Sequence, residues 1–223
     1  MRKLLTALCV AAVALAVSSR ASIADAPPTA SEVFDALVKR ADTLKQYKLA
    51  FDYLKAHPES GKSKARAESR KCMYWHIAPD VMRLDVVDGD DKGSKVVYNG
   101  KVKKSHVRAK QGIIPAIWVG KDDPRLAGFF KSDWKSDVME IKGEVGDVAP
   151  KMTGAEKIAG RDAWKIEFSG LKNPEFDKIT LWVDKKESVL LQYERRKGGA
   201  VFEKKTWSEI EIDAKLGPQD FKI

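Results

Sequence analysis

Beyond Gln46 the spacing of apolar residues changes from near four to two, and that change restricts the fold more than any other feature of the chain. Before it, Val33, Leu37, Ala41 and Leu44 recur at helical spacing, with Phe34 and Val38 widening the stripe. Ser31 is the expected cap, Glu32 and Asp35 suit the positive first turn, and the helix is expected to end near Gln46.

After it, strands follow one another. Tyr47 to Leu54 alternates, and Glu59 to Ser63 is a polar turn. Ala67 to Ala78 carries Cys72, Tyr74 and His76 on one side and Met73, Trp75 and Ile77 on the other. Val81 to Val87 sets Met82, Leu84 and Val86 against Arg83 and Asp85, and Asp88 to Gly93 turns the chain. Lys95 to Tyr98 is a short strand, Asn99-Gly100 a strong hairpin signal, and Lys101 to Arg108 the return. The C-terminal third is a meander. Trp164, Ile166 and Phe168 share a face, as do Ile179, Leu181 and Val183, with Thr180 and Trp182 opposite. Strands then run from Val189 to Arg195 and from Val201 to Trp207, and Ile210 and Ile212 end the sheet.

Roughly ten antiparallel strands with one long helix predict a mainly β, α+β domain. The expected shape is a curved antiparallel sheet or half-open β-barrel, capped by the N-terminal helix and a mid-chain lid loop. That loop covers residues 109–135, where Gly112, Pro115 and Pro124 interrupt two apolar stretches. It reads as loop and short helix lying across the sheet rather than within it. No repeat or linker divides residues 30–223, which read as one domain after a short disordered lead-in at 25–29.

Arg2 and Lys3 followed by the apolar run Leu4 to Val17 and small residues up to Ala24 have the order of a secretory signal peptide. Cleavage is expected after Ala24, giving a soluble periplasmic protein, and the run is short for a membrane span of about 20 residues. Cys72 is then the remaining thiol, so no internal disulfide can form. Residues 25–223 hold 38 basic and 32 acidic side chains, an excess that fits weak attraction to an anionic surface. Export and the lack of a binding motif exclude nucleic acid.

No catalytic constellation emerges. His57, His76 and His106 are separated by spacings that match no metal motif, and the serines lack a nucleophile-elbow context. Cys72 and His76 share a face only by strand alternation. Asp88 to Gly93 begins like a calcium loop, but Lys92 and Asn99 occupy positions that require acidic or amide ligands and a bidentate glutamate. No metal, cofactor or catalytic residue is assigned, and the chain is not expected to be an enzyme.

What remains is apolar surplus. A curved sheet with one long helix cannot fill its own concave face, which leaves a hollow for an oily ligand. The sheet residues expected to line it are Met82, Leu84, Val86, Ile166, Phe168, Leu181 and Val183. Val33, Leu37, Ala41 and Leu44 close it from the helix, and Ile113, Ile117, Trp118, Phe129 and Phe130 stand at the mouth. About ten methylenes at ~0.8 kcal/mol each would hold a lipid without a charged anchor.

The phrases "APDVMRLDV" at 78–86, "VVYNGK" at 96–101, "GRDAWKIEF" at 160–168 and "ITLWVDKKESVLLQYE" at 179–194 resemble the bacterial outer-membrane lipoprotein carrier superfamily of the LolA/LolB type. The closing "IEIDAKLGPQDFKI" at 210–223 is similar too. The resemblance implies a half-open barrel whose apolar cavity receives acyl chains. The expected function is a monomeric carrier of lipid or lipidated protein, touching membrane or envelope proteins in transit and making no covalent bond. A protein-interaction or envelope-sensor module using the convex face around Thr180 and Trp182 is the alternative.

Overall fold

A computed structural model describes residues 26–58, 64–126 and 128–223. The expected leader and the Glu59 to Ser63 turn lie outside the described residues. Helix α1 (Ala30–Thr43) starts two residues earlier than expected, and its cap is Thr29 rather than Ser31. The Thr29 hydroxyl accepts from the Glu32 amide at 3.2 Å, and the Glu32 carboxylate accepts from the Thr29 amide at 2.7 Å. Two otherwise orphaned donors are thus satisfied together, which orders a residue assigned from sequence to the lead-in. Leu44 takes extended backbone and stops the helix short of Gln46.

Eleven strands, one more than expected, form a single open sheet among the described residues. In chain order they are β1 (Gln46–His57), β2 (Arg66–Ile77), β3 (Val81–Gly89), β4 (Lys95–Asn99), β5 (His106–Lys110), β6 (Ile117–Gly120), β7 (Lys151–Ile158), β8 (Arg161–Ser169), β9 (Lys178–Asp184), β10 (Leu190–Lys197) and β11 (Ala200–Ile212). Neighbours across the sheet run β6-β5-β4-β3-β2-β1-β11-β10-β9-β8-β7. The first six strands therefore step outward from the centre to one edge. The last five step inward from the other edge, and β1 with β11 closes the two halves, pairing Phe51 with Trp207 and Tyr53 with Lys205.

This order has a geometric consequence. The chain leaves β6 at one edge and must re-enter at β7 on the opposite edge, so residues 121–150 have to cross the sheet. They do so through the short turns Pro124–Leu126 and Phe129–Lys131 and a second helix, α2 (Trp134–Val145). The sequence predicts loop and short helix over residues 109–135. The structure shows Ile117–Gly120 inside the sheet as its edge strand, and a twelve-residue helix beginning where the loop was expected to end. Trp134, Val138, Ile141 and Val145 are buried at helical spacing, and Asp133 caps them by accepting from the amides of Lys135 and Ser136.

The Asn99-Gly100 hairpin is also wider than a two-residue turn. Backbone amides of Val102 and Lys103 both donate to the Asn99 carbonyl, and the return strand starts only at His106. A Cβ on Gly100 would stand 2.8 Å from the Asp80 Cβ, so glycine is needed for this close approach rather than for a tight reversal.

Both helices sit on the β7–β11 side of the concave face. Phe34 of α1 meets Phe168 edge-on with ring centroids 5.0 Å apart, and Trp134 of α2 donates to the Leu190 carbonyl at 2.8 Å. Beneath them Ile166, Phe168, Ile179, Leu181 and Leu190 are sealed from solvent. Thr180 and Trp182, expected on an open convex face, are buried as well. The Trp182 indole donates to Glu156 at 2.6 Å and lies under the Lys165 ammonium, so long side chains of neighbouring strands roof it over.

Candidate functional site

The helices leave the β1–β5 half of the concave face uncovered, and a cavity of about 940 Å³ lies there. Its far wall is the β5–β6 turn, which contributes Ile114 and Pro115, and the crossing segment, which contributes Leu126 and Phe129. Strand alternation points Phe51, Cys72, Leu84, Val86, Val96 and Ala109 into it. This volume falls within the range of small-molecule and lipid sites, roughly 300–1,000 Å³.

The cavity has a second, charged end. Two cross-strand rows supply it: Lys55, Glu203 and Arg195, and next to them Tyr53, Lys205 and Tyr193, on β1, β11 and β10. Arg195 is 4% exposed and donates to Glu203 at 2.8 Å and to Glu144 at 2.8 and 3.0 Å. The Tyr193 hydroxyl donates to the same Glu203 carboxylate. Lys205, 3% exposed, donates to Asp137 at 2.5 Å and to the Ser132 carbonyl, with its ammonium 4.4 Å from the Phe51 ring centroid. Asp137, Glu140 and Glu144 lie on one face of α2, so an acidic stripe on the helix meets a basic stripe on the sheet. Burial raises the Asp137 carboxyl to about 6, against the opposing pull of Lys205. Burial likewise raises Glu144, with Arg195 opposing.

The residues assigned from sequence separate into three groups. Leu84, Val86, Ile117 and Phe129 line the cavity. Ile166, Phe168, Leu181 and Val183, with Val33, Leu37 and Ala41 of α1 and the half-buried Leu44 just after it, belong to the core beneath the helices and do not reach the cavity. The cause is α2, which fills the half of the hollow they were expected to border. Met82 is buried against the Tyr74 hydroxyl, 3.7 Å from its sulfur. At the rim Ile113 is wholly exposed, Phe130 packs edge-on against Tyr98 at 5.2 Å, and Trp118 points to the outer face between Lys103 and Arg108. Trp118 is displaced from the mouth because it sits on a strand whose inward positions are Ile117 and Val119.

The charged end escaped the sequence reading, although a signal existed. Glu203 and Lys205 alternate in phase with Trp207, which marks them as inward-facing on β11. Cys72 also lines the cavity, and burial pushes its thiol up to about 12, so it is held neutral rather than activated. The described residues contain no cluster of three or more potential metal ligands among His, Cys, Asp and Glu.

No family model and no curated protein matches the sequence. Solved structures do. MucB is similar with a TM-score of 0.57 and 17% identity, over 87% of this chain and 62% of that one. This chain therefore spans less than two thirds of MucB. MucB in complex with MucA(peri) gives 0.54 and 15%, over 87% and 59% of the two chains. A conserved protein of Thermus thermophilus gives 0.50 and 12%, over 87% and 93%. A LolA superfamily protein from Nitrosomonas europaea aligns at 0.40 and 10%, over 88% and 99%. At these identities the likeness is one of fold. The architecture implied by the sequence resemblance, an open curved sheet with a flanking helix, is the one observed.

Proposed function

We propose that this protein is an exported binder and carrier of an amphiphile, whose acyl portion occupies the apolar end of the cavity and whose polar portion faces the charged rows. The observation that carries this reading is the cavity itself, since a chain-filled concave face would leave no room for a ligand. Phe51, Leu84, Val86, Val96 and Ala109 form a wall whose exposure to water is unfavourable by about 25 cal/mol per Å², and covering it with methylenes reverses that cost. The charged rows modify the expectation of a purely greasy pocket: a ligand with a hydrogen-bonding head fits both ends, a hydrocarbon only one. Arg195 and Lys205 are already neutralised by Glu203, Glu144 and Asp137, so a polar head would be recognised by hydrogen bonding to a fixed network rather than by neutralising a bare cation. Binding and release need no covalent chemistry, and the leader at residues 1–24 would deliver the chain to the periplasm.

Organic extraction of the purified exported protein followed by mass spectrometry tests this. A stoichiometric amphiphile is expected; an extract free of lipid, from protein that also fails to take up an acyl probe, overturns the proposal. A second reading is favoured by the MucB–MucA(peri) complex, in which the same fold meets a protein partner. A partner that co-purifies without lipid would select it.

A further inference from the structure

The charge of the chain is not spread evenly. Residues 101–125 carry seven lysines and arginines against two aspartates, a net +5, whereas all of residues 25–223 amount to +6. One edge of the sheet thus holds nearly the whole excess. The same edge concentrates the exposed apolar side chains. Of the seven large hydrophobic residues most open to solvent among the described residues, five are Val102, Ile113, Ile114, Ile117 and Trp118. Ile113 is 100% exposed and Val102 72%.

These two patterns interlock. The β5–β6 turn ends in Ile113 and Ile114, and Trp118 follows on the edge strand. Lys103 lies 4.8 Å and Arg108 5.6 Å from the Trp118 ring centroid, so cations flank this exposed aromatic. An aromatic with an apolar body, protruding aliphatics and a surround of lysines and arginines is the combination that settles at a bilayer interface, with rings at headgroup level and basic side chains toward anionic lipid. A water-soluble surface would lose nothing by replacing Ile113, which touches no core.

We infer that this edge of the sheet, built from β6 and the two turns that flank β5 at its opposite ends, residues 100–105 and 111–116, is a docking surface for an anionic phospholipid bilayer. Ile114, Pro115 and Ile117 belong both to this edge and to the cavity lining, so docking would bring the cavity mouth to the lipid surface. The inference goes beyond the carrier reading without depending on it, because Ile113, Trp118, Lys101, Lys103 and Lys104 do not line the cavity.

Co-sedimentation with vesicles decides the matter. The purified protein is expected to pellet with phosphatidylcholine vesicles containing phosphatidylglycerol, and to be released by high salt and by pure phosphatidylcholine. Reversing Lys101, Lys103 and Lys104 to glutamate is expected to weaken binding by at least about tenfold. Ile113→Ser with Trp118→Ser is expected to weaken it on the order of tenfold while acyl-probe uptake in solution is unchanged. Equal pelleting with both vesicle types, or variants that bind like the parent, overturns the inference. So does a parent that ignores vesicles but self-associates until Ile113→Ser makes it monomeric, which would assign the edge to a second copy.

Discussion

The Lys205 ammonium lies 2.5 Å from the Asp137 carboxylate, and both side chains are buried where α2 meets the central strand β11. Neither charge reaches solvent, so each depends on the other for neutralisation. The pair, together with Arg195 and Glu144, fixes the helix that divides filled core from open cavity.

Lys205→Met removes one partner and leaves Asp137 buried alone. A loss of about 3–5 kcal/mol is expected, read as a lower urea midpoint. Adding Asp137→Leu to that variant should recover most of the loss, because two apolar side chains need no pairing. A single variant as stable as the parent would show that the pair does not hold α2.

The pH dependence follows from the same carboxyl. Its folded-state value of about 6 lies above the unfolded 3.8, so the folded protein binds the extra proton. The stability this group contributes is present below about 3.8 and is lost as pH rises through about 6. Compared with Asp137→Asn, the parent should therefore lose stability on the order of 2 kcal/mol between pH 4 and 7. Urea titrations of both proteins across that range check the sign.

Cys72 is 2% exposed, and its thiol is raised to about 12 by burial. Native protein at pH 8 should react with a charged disulfide reagent orders of magnitude more slowly than protein in urea. A small apolar maleimide that enters the cavity should label it faster, and an acyl ligand should suppress that labelling.

Ala109 faces the cavity between Val96 and Ile117 in cross-strand register. Ala109→Trp should fill the apolar end and weaken fluorescent fatty-acid uptake by roughly tenfold or more with circular dichroism unchanged. Full uptake by this variant would place the ligand elsewhere.

Thr29→Ala removes the reciprocal cap of α1. A loss of about 1 kcal/mol is expected, measured by denaturant titration, and Thr29→Ser should restore it because serine keeps the accepting oxygen.

The strands were legible from sequence wherever one face is buried and the other solvated. Tyr47, Leu49 and Phe51 against Lys48 and Asp52 is the clear case, because alternation records the difference between the two environments. β9 shows the limit of that signal. Thr180 and Trp182 look like an outer face by alternation, yet both are buried, and the Trp182 ring is covered by Glu156 from β7 and Lys165 from β8. Helix α2 was missed because its sheet-facing side is partly acidic: Asp137 reads as solvent-facing until Lys205 is known to stand opposite.

By itself the sequence determined the period of α1 and of most strands, and with it the mainly β architecture, the leading helix and the tendency toward a greasy hollow. Those are local or one-dimensional properties, fixed by which side chains alternate and where glycine and proline interrupt them. Only the tertiary structure decided where the hollow lies. Pairing β1 with β11 sends the chain from one sheet edge to the other, and that crossing lays α2 over one half of the concave face while leaving the other half open. Which residues become core and which become cavity depends on contacts between segments more than sixty residues apart, such as Lys205 with Asp137, and no local pattern records them.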